Sequence, residues 1–218
     1  MHFSSRDRLA VGLLLALASL GARAQGVPMT DENYLQGSST KGVVLLSIRW
    51  DRKWKCAGFE NAQLRALGFD HLPSKHANDS EAVDLLFDDA PLLMTKPQFD
   101  DYAYLVEPGE YALSKMHIKV ARSTSDVGIF KSERDRLLKD GVAQGGSFTV
   151  NAGEVVYIGH FHIDCHQQPN LWRYYLEDQP SFDAYLAKQK KKTPALDTSQ
   201  ARFRLFKSAY FGRNFELK

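Results

Sequence analysis

The run His160-x-His162-x-x-Cys165-His166 concentrates the side chains best suited to chemistry in this sequence. Two histidines at i and i+2 of an extended segment point to one side, so they can chelate a single ion. Imidazole and thiolate are ligands for zinc or copper, and His166 could turn back to join them. Cys165 has a second use, because Cys56 is its one possible intramolecular partner. A metal site and a Cys56–Cys165 disulfide compete for the same sulfur. If the bond forms, the ligand set falls to His160, His162 and His166, with Asp164 beside them. A second constellation is aromatic: Tyr102 and Tyr104 in one segment, Trp172 and Tyr174 in another. Tyrosine and tryptophan alternating along a strand form either a binding platform or a half-buried packing surface. Asp88-Asp89 and Asp100-Asp101 are acid pairs without the spacing of a calcium loop. The sequence holds no G-x-S-x-G elbow, S-x-x-K, H-E-x-x-H or phosphate-binding glycine pattern. The expectation is a non-catalytic protein with a binding or structural role and no cofactor. The alternative is a metal-binding protein or metalloenzyme built on His160, His162 and His166.

The compartment bears on both readings. Arg6 and Arg8 precede the apolar run Leu9 to Leu20, and Ala22-Arg23-Ala24 offers small side chains where a signal peptidase inspects the chain. The run is 12 residues long, short of the roughly 20 that a spanning helix needs. A cleavable signal peptide over 1–24 is expected, with delivery to the periplasm or the exterior and no membrane span after cleavage. In an oxidising space two cysteines read as a disulfide.

Cleavage also alters the charge. The whole chain carries +2, but the leader holds three arginines and one aspartate, leaving 25 basic against 25 acidic residues. The charge is uneven: residues 188–218 hold nine Lys or Arg against Asp197 and Glu216. That tail either lies along the acidic body or is solvated. A formally neutral exported chain is a poor partner for nucleic acid, so the expected partner is another envelope component.

These side chains need elements to position them. Residues 25–41 are polar without apolar period and read as a flexible lead-in to a domain over 42–178. Val43 to Trp50 has strand alternation, and short strands are expected near Leu64 to Phe69 and Ala82 to Phe87. Tyr102 to Val106 and Tyr111 to Val120 flank Glu107-Pro108-Gly109-Glu110, which predicts a hairpin. The apolar face of the second arm moves from Tyr111 and Leu113 to Met116, Ile118 and Val120, as a β-bulge would move it. Phe148 to Val150 and Glu154 to Asp164 predict a second hairpin around Asn151-Ala152-Gly153, with Val155, Tyr157, Phe161 and Ile163 as its core face. Leu171 to Glu177 predicts a further strand, and Ser132 to Lys139 either a short helix or a loop. Pro180 opens a helix with Phe182, Tyr185 and Leu186 on one stripe; helix and basic tail together take 179–218, with a late strand at Ala201 to Phe206. The fold class expected is mainly β, an antiparallel β-sandwich with a short C-terminal helix.

Val106-Glu-Pro-Gly-Glu110 and Val150-Asn-Ala-Gly-Glu154 echo each other, through duplication or through the like needs of two tight turns. Together with the exported leader, the early strand, P-G-E-Y and A-G-E-V-V-Y-I-G, they resemble a group of uncharacterised bacterial envelope proteins over about 42–177. The resemblance implies a small β-sandwich outside the cytoplasm. It casts Pro108, Gly109, Glu110, Tyr111, Gly153, Glu154, Tyr157 and Gly159 as turn and packing positions and implies no catalytic residue.

Overall fold

A computed structural model describes residues 26–217, apart from 77, 78, 80, 81, 89 and 91–96. The leader expected over 1–24 lies outside the described residues. In chain order the first half contains β1 (Val27–Pro28), α1 (Asp31–Gly37), β2 (Gly42–Ile48), β3 (Lys53–Cys56), β4 (Phe59–His71), β5 (Leu85–Phe87), β6 (Asp100–Val106) and β7 (Gly109–Ala121). The second half contains β8 (Val127–Ser132), α2 (Arg134–Leu137), β9 (Leu138–Lys139), β10 (Val142–Ala143), β11 (Ser147–Val150), β12 (Val155–Asp164), β13 (Asn170–Tyr174), α3 (Gln179–Lys192) and β14 (Ala201–Phe203).

The chain is mainly β, with its longest helix near the C-terminal end. One sheet runs β1-β6-β2-β12-β13, with β14 beside the start of β12; the other runs β11-β7-β4-β3, with β5 on β4 and β8 on β7. All pairings within them are antiparallel except those of β12 with β2 and with β14. The sheets share one apolar core, drawn from Leu46, Ile48, Phe161 and Ile163 on one side and Leu64, Phe69, Leu113 and Ile118 on the other. Burying each such side chain fully is worth roughly 1.5–3 kcal/mol. A second cluster covers the outer face of the first sheet, where Val43, Leu45, Val155 and Tyr157 meet Phe182, Tyr185 and Leu186 of α3. Strand β2 is therefore buried on both faces along its whole length.

The two turns expected to close hairpins instead carry the chain between sheets. β6 belongs to the first sheet and β7 to the second, while β11 belongs to the second and β12 to the first. The turns are neighbours at one corner: Val150 pairs with Gly109, and Gly42 pairs with Val106. Turn residues specify a reversal but not which sheet receives the returning strand, so the local sequence is the same for a hairpin and a sheet-switching corner.

The expected bulge in β7 falls at Ser114, since Gly68 pairs with Lys115 and Phe69 with Leu113. A second bulge, between Tyr157 and Gly159, resets β12 against β2. Before it Val156 faces the inter-sheet core; after it Phe161 and Ile163 do. Val155 and Tyr157 thus sit under α3 rather than sharing the core with Phe161.

Helix α3 begins where expected: the Asp178 side chain accepts from the Ser181 amide, 2.8 Å, and Pro180 fills the first turn. Lys190, Lys191 and Lys192 end it, where the helix dipole favours cations. The lead-in is not bare chain, because β1 pairs with β6 and α1 buries Tyr34. The tail is docked: Lys188 reaches Asp101 at 2.7 Å, Arg204 holds Glu154, and Phe206 and Phe211 are buried. Ser132 to Lys139 resolves into the end of β8, the single turn α2 and the start of β9.

Candidate functional site

Cys56 and Cys165 are bonded, joining the end of β3 in one sheet to the residue after β12 in the other. The thiolate that a metal site would have used is thereby committed. His160 and His162 share the outer face of β12, as their spacing requires, but each ring has its own partner. His160 Nδ1 pairs with the Tyr157 hydroxyl, and its ring packs 4.7 Å from Phe99 and 5.6 Å from Tyr185. His162 Nδ1 lies 3.0 Å from the Arg49 carbonyl, while Nε2 is buried and 3.8 Å from Asp51. His166 is exposed on the following loop, its amide bonded to Asp164. Among the described residues no group of three His, Cys, Asp or Glu side chains is placed to hold a metal ion.

Burial fixes the charge state of both strand histidines. It pushes His160 down to about 4, against the opposing pull of Asp101. It pushes His162 down to about 4 likewise, although the Arg49 carbonyl and Asp51 raise it. The unfolded rings protonate near 6.5, so below that pH the unfolded chain binds more protons and stability falls as pH falls toward 4. The expected loss across that window is about 2–3 kcal/mol for each ring. Urea unfolding at pH 7 and pH 4.5 checks it: His160→Gln and His162→Gln should each flatten the dependence, and wild-type slopes in both variants would refute the assignment.

Tyr102 and Tyr104 belong to the inner face of their sheet. Tyr102 accepts from Trp50 Nε1 at 2.7 Å, and both rings stand edge-on to Phe87 at 5.2 and 5.0 Å. Trp172 and Tyr174 pair with His162 and His160 and so lie on the outer face, with β2 and β12 between their strand and β6. The four aromatics do not make one platform. Asp101, from the second acid pair, accepts from Ser47 at 2.9 Å and pairs with Lys188. Asp89 of the first pair lies outside the described residues.

What the structure brings together along β13 is a groove of about 540 Å³. Trp172, Arg173, Tyr174 and Tyr175 line it, and Asp164, His166, Glu177 and Arg213 border it with polar groups. The aromatic alternation in Leu171 to Glu177 pointed to half of this lining. Arg213 comes from the tail, which no local pattern connects to β13.

The sequence reading also passed over Arg173. It occupies the core phase of β13, opposite Phe161 and two residues after Leu171, and is 1% exposed. A charged residue on the apolar face of an alternating strand was the available signal. Its Nη2 donates to the Arg213 carbonyl, whereas Nε and Nη1 have no acceptor among the described residues. Burial lowers this guanidinium from its ordinary range. Arg134, in a charged segment without periodicity, gave no signal. It donates to Asp70 at 2.6 Å and to the carbonyls of His76, Asp79 and Ala82.

Fold and site thus define a two-sheet β protein, tied across its sheets by a disulfide, with an aromatic and charged groove along the last strand of one sheet. No family model, curated protein or solved structure matches the chain.

Proposed function

We propose that this chain is a non-catalytic exported protein that binds a component of the bacterial envelope in the groove along β13, and that it is kin to the exported envelope β-sandwiches its turns resemble. The groove carries the reading. Trp172 and Tyr174, two residues apart, present rings to one side, with Asp164, Glu177 and Arg213 lining the same groove. Flat apolar faces bordered by charged donors and acceptors suit a glycan strand, whose sugar rings offer the complementary faces and edges. The disulfide fits an oxidising compartment. Among the described residues no helix is long and apolar enough to cross a membrane.

The test uses the protein expressed with its leader and recovered from the periplasmic or secreted fraction. It is expected to co-sediment with purified murein sacculi. Trp172→Ala/Tyr174→Ala should lose about tenfold or more in affinity, as removal of a binding hot spot does, with an unchanged melting temperature. A wild-type protein that stays in the supernatant, or a double variant that pellets equally, would overturn the reading.

A further inference from the structure

We propose that Arg173, which also borders the aromatic groove and lies over the Tyr175 ring, forms the floor of a second site, on the other side of β13 from Trp172 and Tyr174, which accepts one oxyanion group, a carboxylate or a phosphate. Arginine has five N–H donors and keeps its charge under all ordinary conditions. One nitrogen of Arg173, Nη2, is used on the Arg213 carbonyl; Nε and Nη1 are buried without an acceptor, and no carboxylate among the described residues lies within ion-pair distance of the guanidinium. A buried cation in that condition is costly, and an apolar side chain of like size would remove the cost.

The backbone nevertheless makes room for it. A Cβ on Gly159 would stand 2.7 Å from Arg173 Cγ, and one on Gly212 would stand 2.8 Å from both Nε and Nη2. Two chain segments thus approach the side chain as closely as glycine permits. One contributes to β12, and the other is the tail segment whose Phe211 carbonyl accepts from the Arg173 amide at 2.7 Å.

Arg173 lines a cavity of about 350 Å³. Phe203 and Phe215 form apolar walls, Lys207 adds a cation, and Glu216 is its one acid among the described residues. Arg204 also borders it but is already committed to both oxygens of Glu154. A cation with unused donors among the lining side chains, beside aromatic walls, selects an anionic group carried on an apolar body. The guanidinium fork suits both carboxylate and phosphate.

The experiment titrates the full exported chain with sodium benzoate and, separately, phenyl phosphate at constant ionic strength. The readout is the arginine Nε–H region of a proton–nitrogen correlation spectrum, in which Arg173→Met identifies the Arg173 signal. Saturable movement of that signal with benzoate assigns a carboxylate site, and movement with phenyl phosphate a phosphate site. Failure of both to move it at millimolar concentrations would overturn the proposal. Arg173→Met should melt no lower than wild type without the probe and should not be stabilised by it. Should that variant fail to fold, Lys207→Gln, at an exposed position, keeps the test open: a two- to fivefold weaker titration is expected, and full affinity would refute the siting. Trp172→Ala/Tyr174→Ala should titrate as wild type, which separates this site from the groove.

Discussion

Cys56→Ala/Cys165→Ala, or reduction of the wild type, is expected to remove about 4–5 kcal/mol of stability, the chain-entropy value for so long a loop. The bond closes 109 residues, and in the unfolded chain that closure forbids most of the separations its ends would otherwise sample. In the folded state it adds little constraint, because Cys56 is fully buried and Cys165 already packs on the same core. For a domain of this size the loss corresponds to a fall of roughly 10–20 °C in melting temperature. Urea unfolding with and without reductant measures it. A loss below about 1 kcal/mol would show that the reduced, unfolded chain keeps the two ends near each other without the bond.

Arg134→Met is expected to cost about 3–5 kcal/mol, the usual penalty for stranding one member of a buried ion pair. Asp70 is fully buried, and Arg134 Nε meets one of its oxygens at 2.6 Å. With the guanidinium gone, that carboxylate keeps only the Ser74 hydroxyl at 2.9 Å among its side-chain donors described here. The other guanidinium nitrogens donate to the carbonyls of His76, Asp79 and Ala82 at 2.6 to 2.7 Å. One side chain of α2 therefore fastens the connection after β4 to the end of β4 itself. Asp70→Ala/Arg134→Met should recover part of the loss, because neither charge is then buried alone. Urea unfolding of the two single variants and the double variant gives the coupling. Additive losses would mean that the pair does not act as a unit.

Strand identity was legible wherever side-chain period and burial agree. Val43 to Ile48 and Tyr111 to Val120 announced themselves, and even the bulge at Ser114 was visible as a slipped apolar phase. Pairing was not legible. Pro108-Gly109 and Ala152-Gly153 signal reversals that hairpins and sheet-switching corners share, so both turns misled about partner strands. The slip at Tyr157–Gly159 was hidden because both faces of β12 are apolar, one against the other sheet and one under α3. The site was half legible for the same reason. Trp172 and Tyr174 stood out within one short segment, whereas Arg213 and the glycine at 212 reach β13 from forty residues away. The histidines of β12 were conspicuous by type, yet their surroundings, a carbonyl for one and a tyrosine hydroxyl for the other, depend on residues that spacing does not connect.

The parallel pairing of β2 with β12 has a consequence for the chain as it emerges. Val43 lies beside Val155, about 110 residues later, a separation typical of slow, non-local assembly. A chain threaded N-terminus first presents Gly42–Ile48 long before that neighbour arrives. β6 can cover one side of it early, but its other edge stays open, a short apolar ribbon with unpaired amides and carbonyls. The interval between the appearance of β2 and the arrival of β12 is thus when the polypeptide is most prone to join a second copy of itself, and when an escorting chaperone would matter most.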